Sequence, residues 1–157
     1  MNFRKFRKSD IRQVAKIKNS VFSNFNKLGY FEKCAISRYL NKTSLKKSDQ
    51  ELIDVFKISD KSIFYVAEKN NKILGYINGK RNKIVNLFVL GEMHKKGIGR
   101  KLINLFENES RKQKSNEIKI ASSIYAVPFY QKMGYIKTTG IRNWHGLKVQ
   151  PMKKFLN

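Results

Sequence analysis

Cysteine is nearly absent from this 157-residue chain: Cys34 stands alone. That excludes an intrachain disulfide and a multi-cysteine metal cluster, and it fits a reducing compartment. Only two prolines occur, Pro128 and Pro151, and no repeat, Gly/Ser linker or low-complexity tract divides the chain, so residues 1–157 read as one domain. Long apolar runs are missing too. The longest, Ile63 to Ala67, is five residues, and the basic start MNFRKFRKSD leads into no apolar stretch of signal-peptide length. The expectation is a soluble, cytoplasmic protein with no membrane partner and no metal, as monomer or homodimer. Acidic residues are scarce: 11 Asp and Glu face 34 Lys and Arg, a formal charge of +23. Because 41% of the residues are hydrophobic and evenly spread, this charge does not mark a disordered basic tail. It consists of 26 Lys and 8 Arg, scattered rather than gathered in the arginine-rich pattern of a polynucleotide groove. Lys, Asn and Ile codons are rich in A and T, so genome composition is a second source of the charge. Attraction to small polyanions is expected; a nucleic-acid- or ribosome-associated role is the less favoured alternative.

What is present reads as a mixed α/β chain. A short strand near Asn2 to Arg7 precedes Ser9-Asp10, a helix cap, after which Ile11, Val14, Ala15, Ile17, Lys18, Val21 and Phe22 recur at near-helical spacing. The first helix is therefore expected over Ser9 to Phe22, a loop over Asn24 to Tyr30, and further helices over Phe31 to Leu40 and Ser48 to Phe56. These N-terminal helices are expected to carry acceptor-side contacts. Strands follow at Ser62 to Glu68, Lys72 to Gly79 and Ile84 to Leu90, the first two joined by Asn70-Asn71, a hairpin signal. A helix from Ile98 to about Lys112, a strand over Glu117 to Ala121, a short helix over Ala126 to Lys132, and strands over Tyr135 to Thr138 and Leu147 to Phe155 complete the order.

Two segments carry chemistry. In LFVLGEMHKKGIGRKL, residues 87–102, a strand runs through a glycine-bearing loop into a helix, aiming unpaired N–H groups and the positive end of the helix dipole at one point. Gly97 and Gly99 lack a Cβ, so a bulky diphosphate can approach the main chain, and Lys95, Lys96 and Arg100 add positive charge. By itself a Gly-x-Gly is more often an ordinary strand–helix turn. Residues 84–102 nevertheless resemble the acetyl-CoA-binding core of the GNAT superfamily of N-acetyltransferases, whose signature Q/R-x-x-G-x-G/A falls on His94, Lys95, Lys96, Gly97, Ile98 and Gly99. His94 departs from the usual Gln or Arg, and Gly91 lies where many members have proline. The second segment, SSIYAVPFYQKMGY at residues 122–135, resembles the family's later motif, with Tyr130 lying 31 residues beyond Gly99.

The resemblance implies a mostly antiparallel, V-splayed sheet flanked by helices, in which the strands near Leu87 and Lys119 part to admit the cofactor. It implies that Leu87, Phe88 and Val89 pair with the pantetheine arm, that the loop amides hold the pyrophosphate, and that Ser123 touches acetyl-CoA. It also places Tyr130 on the tyrosine that protonates the departing thiolate, while Phe129 reads as packing. The implied reaction is direct attack of an amine on the thioester, with a main-chain amide near Phe88 or Val89 polarising the carbonyl and no covalent enzyme intermediate. The general base stays open among Glu68, Glu92, His145 in the Trp144-His145-Gly146 turn, and a water relay, since Asn86 or Leu87 occupies the strand position where some relatives have Glu. Cys34 is read as a small buried hydrophobe rather than a nucleophile. The acceptor amine is not legible. Glu32, Asp54, Glu68 and Glu92 are the carboxylates expected near its mouth.

Overall fold

The computed structural model describes residues 1–25 and 33–157. Its strands are β1 (Asn2–Lys5), β2 (Ser62–Lys69), β3 (Lys72–Lys80), β4 (Lys83–Val89), β5 (Glu117–Ser123), β6 (Ile136–Lys137), β7 (Arg142–Trp144) and β8 (Leu147–Phe155). Its helices are α1 (Ile11–Phe25), α2 (Lys33–Lys42), α3 (Asp49–Val55), α4 (Ile98–Lys112) and α5 (Val127–Lys132). One sheet runs in the order β1-β2-β3-β4-β5-β8-β6, with β7 also on β8. All its pairings are antiparallel except β4 with β5.

Both faces of the sheet are covered, and the strand sequences show it. In β2 Ile63 and Ala67 turn toward α4, joining Leu102, Ile103 and Phe106, whereas Phe64 and Val66 turn toward α1, joining Val14, Ile17 and Val21. β3 lies between these layers and is buried from Ile73 to Gly79, which is why it reads as a continuous apolar run rather than an alternation. The β2–β3 turn uses Asn70 and Asn71, both at positive φ (51° and 61°), the twist-matched geometry for which Asn is suited. α3 opens on a reciprocal cap: Ser48 Oγ accepts from the Glu51 amide, and the Glu51 carboxylate accepts from the Ser48 amide at 2.7 Å.

Four expectations are corrected. Ser9-Asp10 does not open the long helix directly but closes a 3-10 turn, Lys8–Asp10, whose Asp10 carboxylate accepts from the Arg7 amide; α1 starts at Ile11 and continues through Asn24 to Phe25. β7 was not anticipated. It is joined to β8 by the two-residue turn His145-Gly146, both at positive φ, so this dipeptide is a hairpin turn of the same kind as Asn70-Asn71. Cys34, expected to be buried, is exposed on α2. The remainder of the expected Asn24 to Tyr30 loop, with Phe31 and Glu32, lies outside the described residues.

What positions the site is a defect in the sheet. β4 pairs with β3 along its length, but a bulge leaves Val85 without a partner, since Asn78 faces Asn86 and Gly79 faces Ile84. Such an extra residue bends and twists its strand. On its other side β4 meets β5 only at Lys83↔Lys119, supported by the Lys119 amide donating to Asn82 O at 2.8 Å. Beyond that point the two strands part, and the edge of β4 from Ile84 to Val89 faces a gap.

Candidate active site

The gap opens into a cleft of about 1450 Å³. One wall is the free edge of β4; the opposite wall comes from the end of β5, the turn after it and α5; the N-terminus of α4 closes one end, and α1, α2 and the β7–β8 hairpin close the other. Leu87, Phe88 and Val89 line it, as do His94, Lys95, Gly97, Ile98, Gly99, Arg100, Ser123 and Tyr130. The two sequence segments, far apart in the chain, thus meet across one space. Lys96 does not line the cleft; its ammonium lies 3.7 Å from Met93 Sδ.

The loop into α4 is a positive-φ turn at Gly97 (φ 78°), which caps the helix; a Cβ built there would meet nothing within 4 Å. The first α4 amides, at Ile98, Gly99 and Arg100, have no carbonyl a turn earlier to bond, so they are free for an anion. Ile98 anchors this turn by burying its side chain in the core. Gly99 is small for another reason than access to the main chain: a Cβ there would stand 3.1 Å from the Phe129 ring. Its role is to let α4 and α5 approach. His94 turns back on the preceding strand, Nε2 donating to Val89 O at 2.9 Å, so it fixes the loop to the end of β4 and occupies that carbonyl.

Tyr130 is 4% exposed, wedged edge-on between Phe129 and Tyr135 with ring centroids 5.3 and 5.5 Å away. Burial raises its pKa well above the ordinary phenol value. It is therefore a neutral O–H at any physiological pH, and among the described residues its hydroxyl makes no hydrogen bond. Tyr135, in contrast, donates to Glu107 Oε1, itself held by the Lys154 ammonium at 2.9 Å.

None of the three base candidates lines the cleft. Glu68 accepts twice from Arg4 at 3.0 Å on the β1–β2 edge, and that hydrogen bonding holds its carboxyl below the usual range. Glu92 sits exposed in the 3-10 turn Gly91–Met93, and His145 serves the β7–β8 turn. The expectation that Asp54, Glu68 and Glu92 stand at the acceptor mouth is not met, because the cleft is lined by ten lysines and arginines and by no Asp or Glu; Glu32 lies outside the described residues. Asn86, at the strand position in question, donates to Asn78 Oδ1 at 2.8 Å.

Sequence reading passed over the far end of the cleft. There Lys18, only 8% exposed, sits among Phe22, Tyr39 and Phe56, with Lys42 also close to the Tyr39 ring. A lysine falling in step with the apolar positions of α1 was the available signal.

The family model described as "Acetyltransferase (GNAT) domain" matches residues 32–156. No curated protein matches the chain. Among solved structures it is similar to a GCN5-related N-acetyltransferase from Rhodopseudomonas palustris (TM-score 0.81, 17% identity, 99% of this chain and 95% of that one). It is also similar to the PaiA N-acetyltransferase of Thermoplasma acidophilum in complex with coenzyme A (0.75, 18%, 99% and 98%), and to the ribosomal-protein-S18-alanine N-acetyltransferase of Escherichia coli (0.67, 14%, 98% and 92%). At these identities the likeness is one of fold. Among the described residues no helix is long and apolar enough to cross a membrane, and no group of His, Cys, Asp and Glu is placed to hold a metal.

Proposed function

The chain belongs to the GNAT acetyltransferase domain family, and on that premise we propose that its single domain, residues 1–157, transfers the acetyl group of acetyl-CoA to a primary amine by direct attack. The observation that carries this reading is the parting of β4 from β5 beyond Lys83, which leaves a strand edge leading straight to the capped N-terminus of α4. The residues present fit the cofactor: free amides at Ile98, Gly99 and Arg100 with the Lys95 and Arg100 charges suit a diphosphate, and the edge groups of Leu87 together with the Val89 amide, which face the gap rather than β3, suit an amide-bearing arm, with Ser123 opposite.

Acetyl-CoA bound there supplies a thioester whose carbonyl carbon forms the new C–N bond as its C–S bond breaks. The Leu90 amide bonds Leu74 O on β3, so the Phe88 amide two residues before it also faces β3, and the Val89 amide on the free edge is the donor available to the carbonyl oxygen. Tyr130 Oη, kept protonated by burial, gives its proton to the departing sulfur and recovers one from solvent. The proton lost by the amine leaves through water, since among the described residues no carboxylate lines the cleft.

Calorimetry with CoA and thiol release from acetyl-CoA over a panel of amines test the reading together. CoA should bind the wild type and a Tyr130→Phe variant equally, while the variant loses kcat by a factor on the order of 10² to 10⁴. A folded protein that binds no CoA, or a variant with wild-type kcat when chemistry limits the rate, would defeat it.

A further inference from the structure

A buried cation without a counter-charge is a costly thing to leave in a fold. Among the described residues Lys18 is such a cation: its ammonium lies 6.0, 5.9 and 5.7 Å from the Phe22, Tyr39 and Phe56 ring centroids, and a second ammonium, Lys42, lies 5.4 Å from the Tyr39 centroid. Among the described residues no carboxylate meets either lysine. Ring faces offset part of the cost, but burial, and then Lys42, still pull the Lys18 pKa down to about 8. Tyr39 adds a second unmet demand, because its Oη is buried and has no hydrogen-bond partner among the described residues. All four groups, Lys18, Lys42, Tyr39 and Phe56, line the cleft. A single ring, Phe22, separates Lys18 from Phe88 on the β4 edge, with Phe22 and Phe88 centroids 5.5 Å apart. Trp144, half exposed on β7 and 5.8 Å from Tyr39, forms the outer lip.

We infer that the acceptor amine carries an anionic group, a carboxylate in its simplest form, on an aromatic or apolar body, and that Lys18, backed by Lys42, takes the anion while the surrounding rings take the body. The inference deepens the acetyltransferase reading and rests on it only for what happens to the amine; the anion pocket is testable without any transfer. A polycationic acceptor meets the opposite situation, since it would enter a space lined, among the described residues, by ten positive side chains and no Asp or Glu.

The probe is 3-phenylpropionate, a carboxylate on an aromatic body with no amine, compared with its neutral amide in calorimetric titrations of the CoA-saturated chain. The carboxylate should bind at least about tenfold more tightly than the amide. That preference should disappear in Lys18→Met, weaken in Lys42→Met and survive in part in Lys18→Arg, with CoA affinity unchanged in all three. Equal affinities in the wild type, no binding of either probe, a preference that survives Lys18→Met, or displacement of the probe by CoA would each overturn the assignment. Acetyl transfer to phenylalanine in preference to phenylalaninamide is the matching kinetic arm. An expected binding pattern without transfer to any amine would count against the acetyltransferase reading while leaving the pocket in place.

Discussion

Lys18 is charged at neutral pH inside a ring of aromatic carbon, and the free protein bears that cost. The unfolded chain holds the proton at the ordinary value of 10.5, the folded one at about 8, so the unfolded state binds more protons between those values and stability rises as pH climbs through them. The penalty is fully present below pH about 8 and gone above about 10.5, and its size is roughly 3 kcal/mol. Lys18→Met, similar in length and uncharged, should therefore stabilise the protein by up to that amount at pH 7, with the gain shrinking as pH rises toward 10.5. Urea unfolding of both proteins at neutral and alkaline pH measures the gap; a gap independent of pH would show that Lys18 is not the titrating group. Of the candidate site residues, Gly97 was legible from backbone geometry, as a glycine at a left-handed turn into a helix, whereas Tyr130 was reached through the family resemblance, since nothing in its local spacing separates it from a core tyrosine. Lys18 and Tyr39 were not legible, because their importance comes from what surrounds them in space, and surroundings assembled from α1, α2, α3 and β7 leave no local pattern.

At the level of elements, the turn into α4 combines two glycines with separate duties. Gly97 supplies the left-handed turn in open space, whereas Gly99 keeps the Phe129 ring at packing distance. A substitution at Gly99 therefore disturbs the α4–α5 contact as well as any anion, and Gly97 is the cleaner probe. Asn and Asp both tolerate positive φ and have nearly the same shape, so Gly97→Asn and Gly97→Asp share the backbone cost and differ only by a negative charge at the helix N-terminus. The Asp variant should bind CoA at least about tenfold more weakly than the Asn variant; equal calorimetric affinities would remove the diphosphate from this turn. Most elements were readable from periodicity and turn chemistry, including the Asn70-Asn71 hairpin and the Ser48 cap. β7 was missed because its three residues, Arg142 to Trp144, are all exposed and show no alternation; the His145-Gly146 turn was the only mark it left. The Val85 bulge is equally silent in sequence, since a bulge is a count of partners and not a residue type.

Taken whole, the molecule is a polycation with a cleft that repeats its sign: +23 overall and ten lysines and arginines along the opening. Such a field draws in a polyanion from a distance and is screened by salt. CoA association, followed by stopped flow, should slow on the order of tenfold between low salt and about 0.5 M, with a smaller change in the dissociation rate; a salt-independent association rate would mean that the charge is compositional and plays no part in capture. The parting of β4 from β5 has a mechanical meaning as well. One strand-to-strand bridge, Lys83 with Lys119, joins the N-terminal sheet β1-β2-β3-β4 to the C-terminal sheet β5-β8-β6, so the backbone is continuous across the molecule at one point while α4 spans both halves beneath it. A ligand lying along β4 with its far end on β5 would take the place of the missing rungs, adding backbone-type bonds to a join that one core, running from Ile63 through Leu102 and Phe106 to Ile118 and Met152, otherwise makes by packing alone.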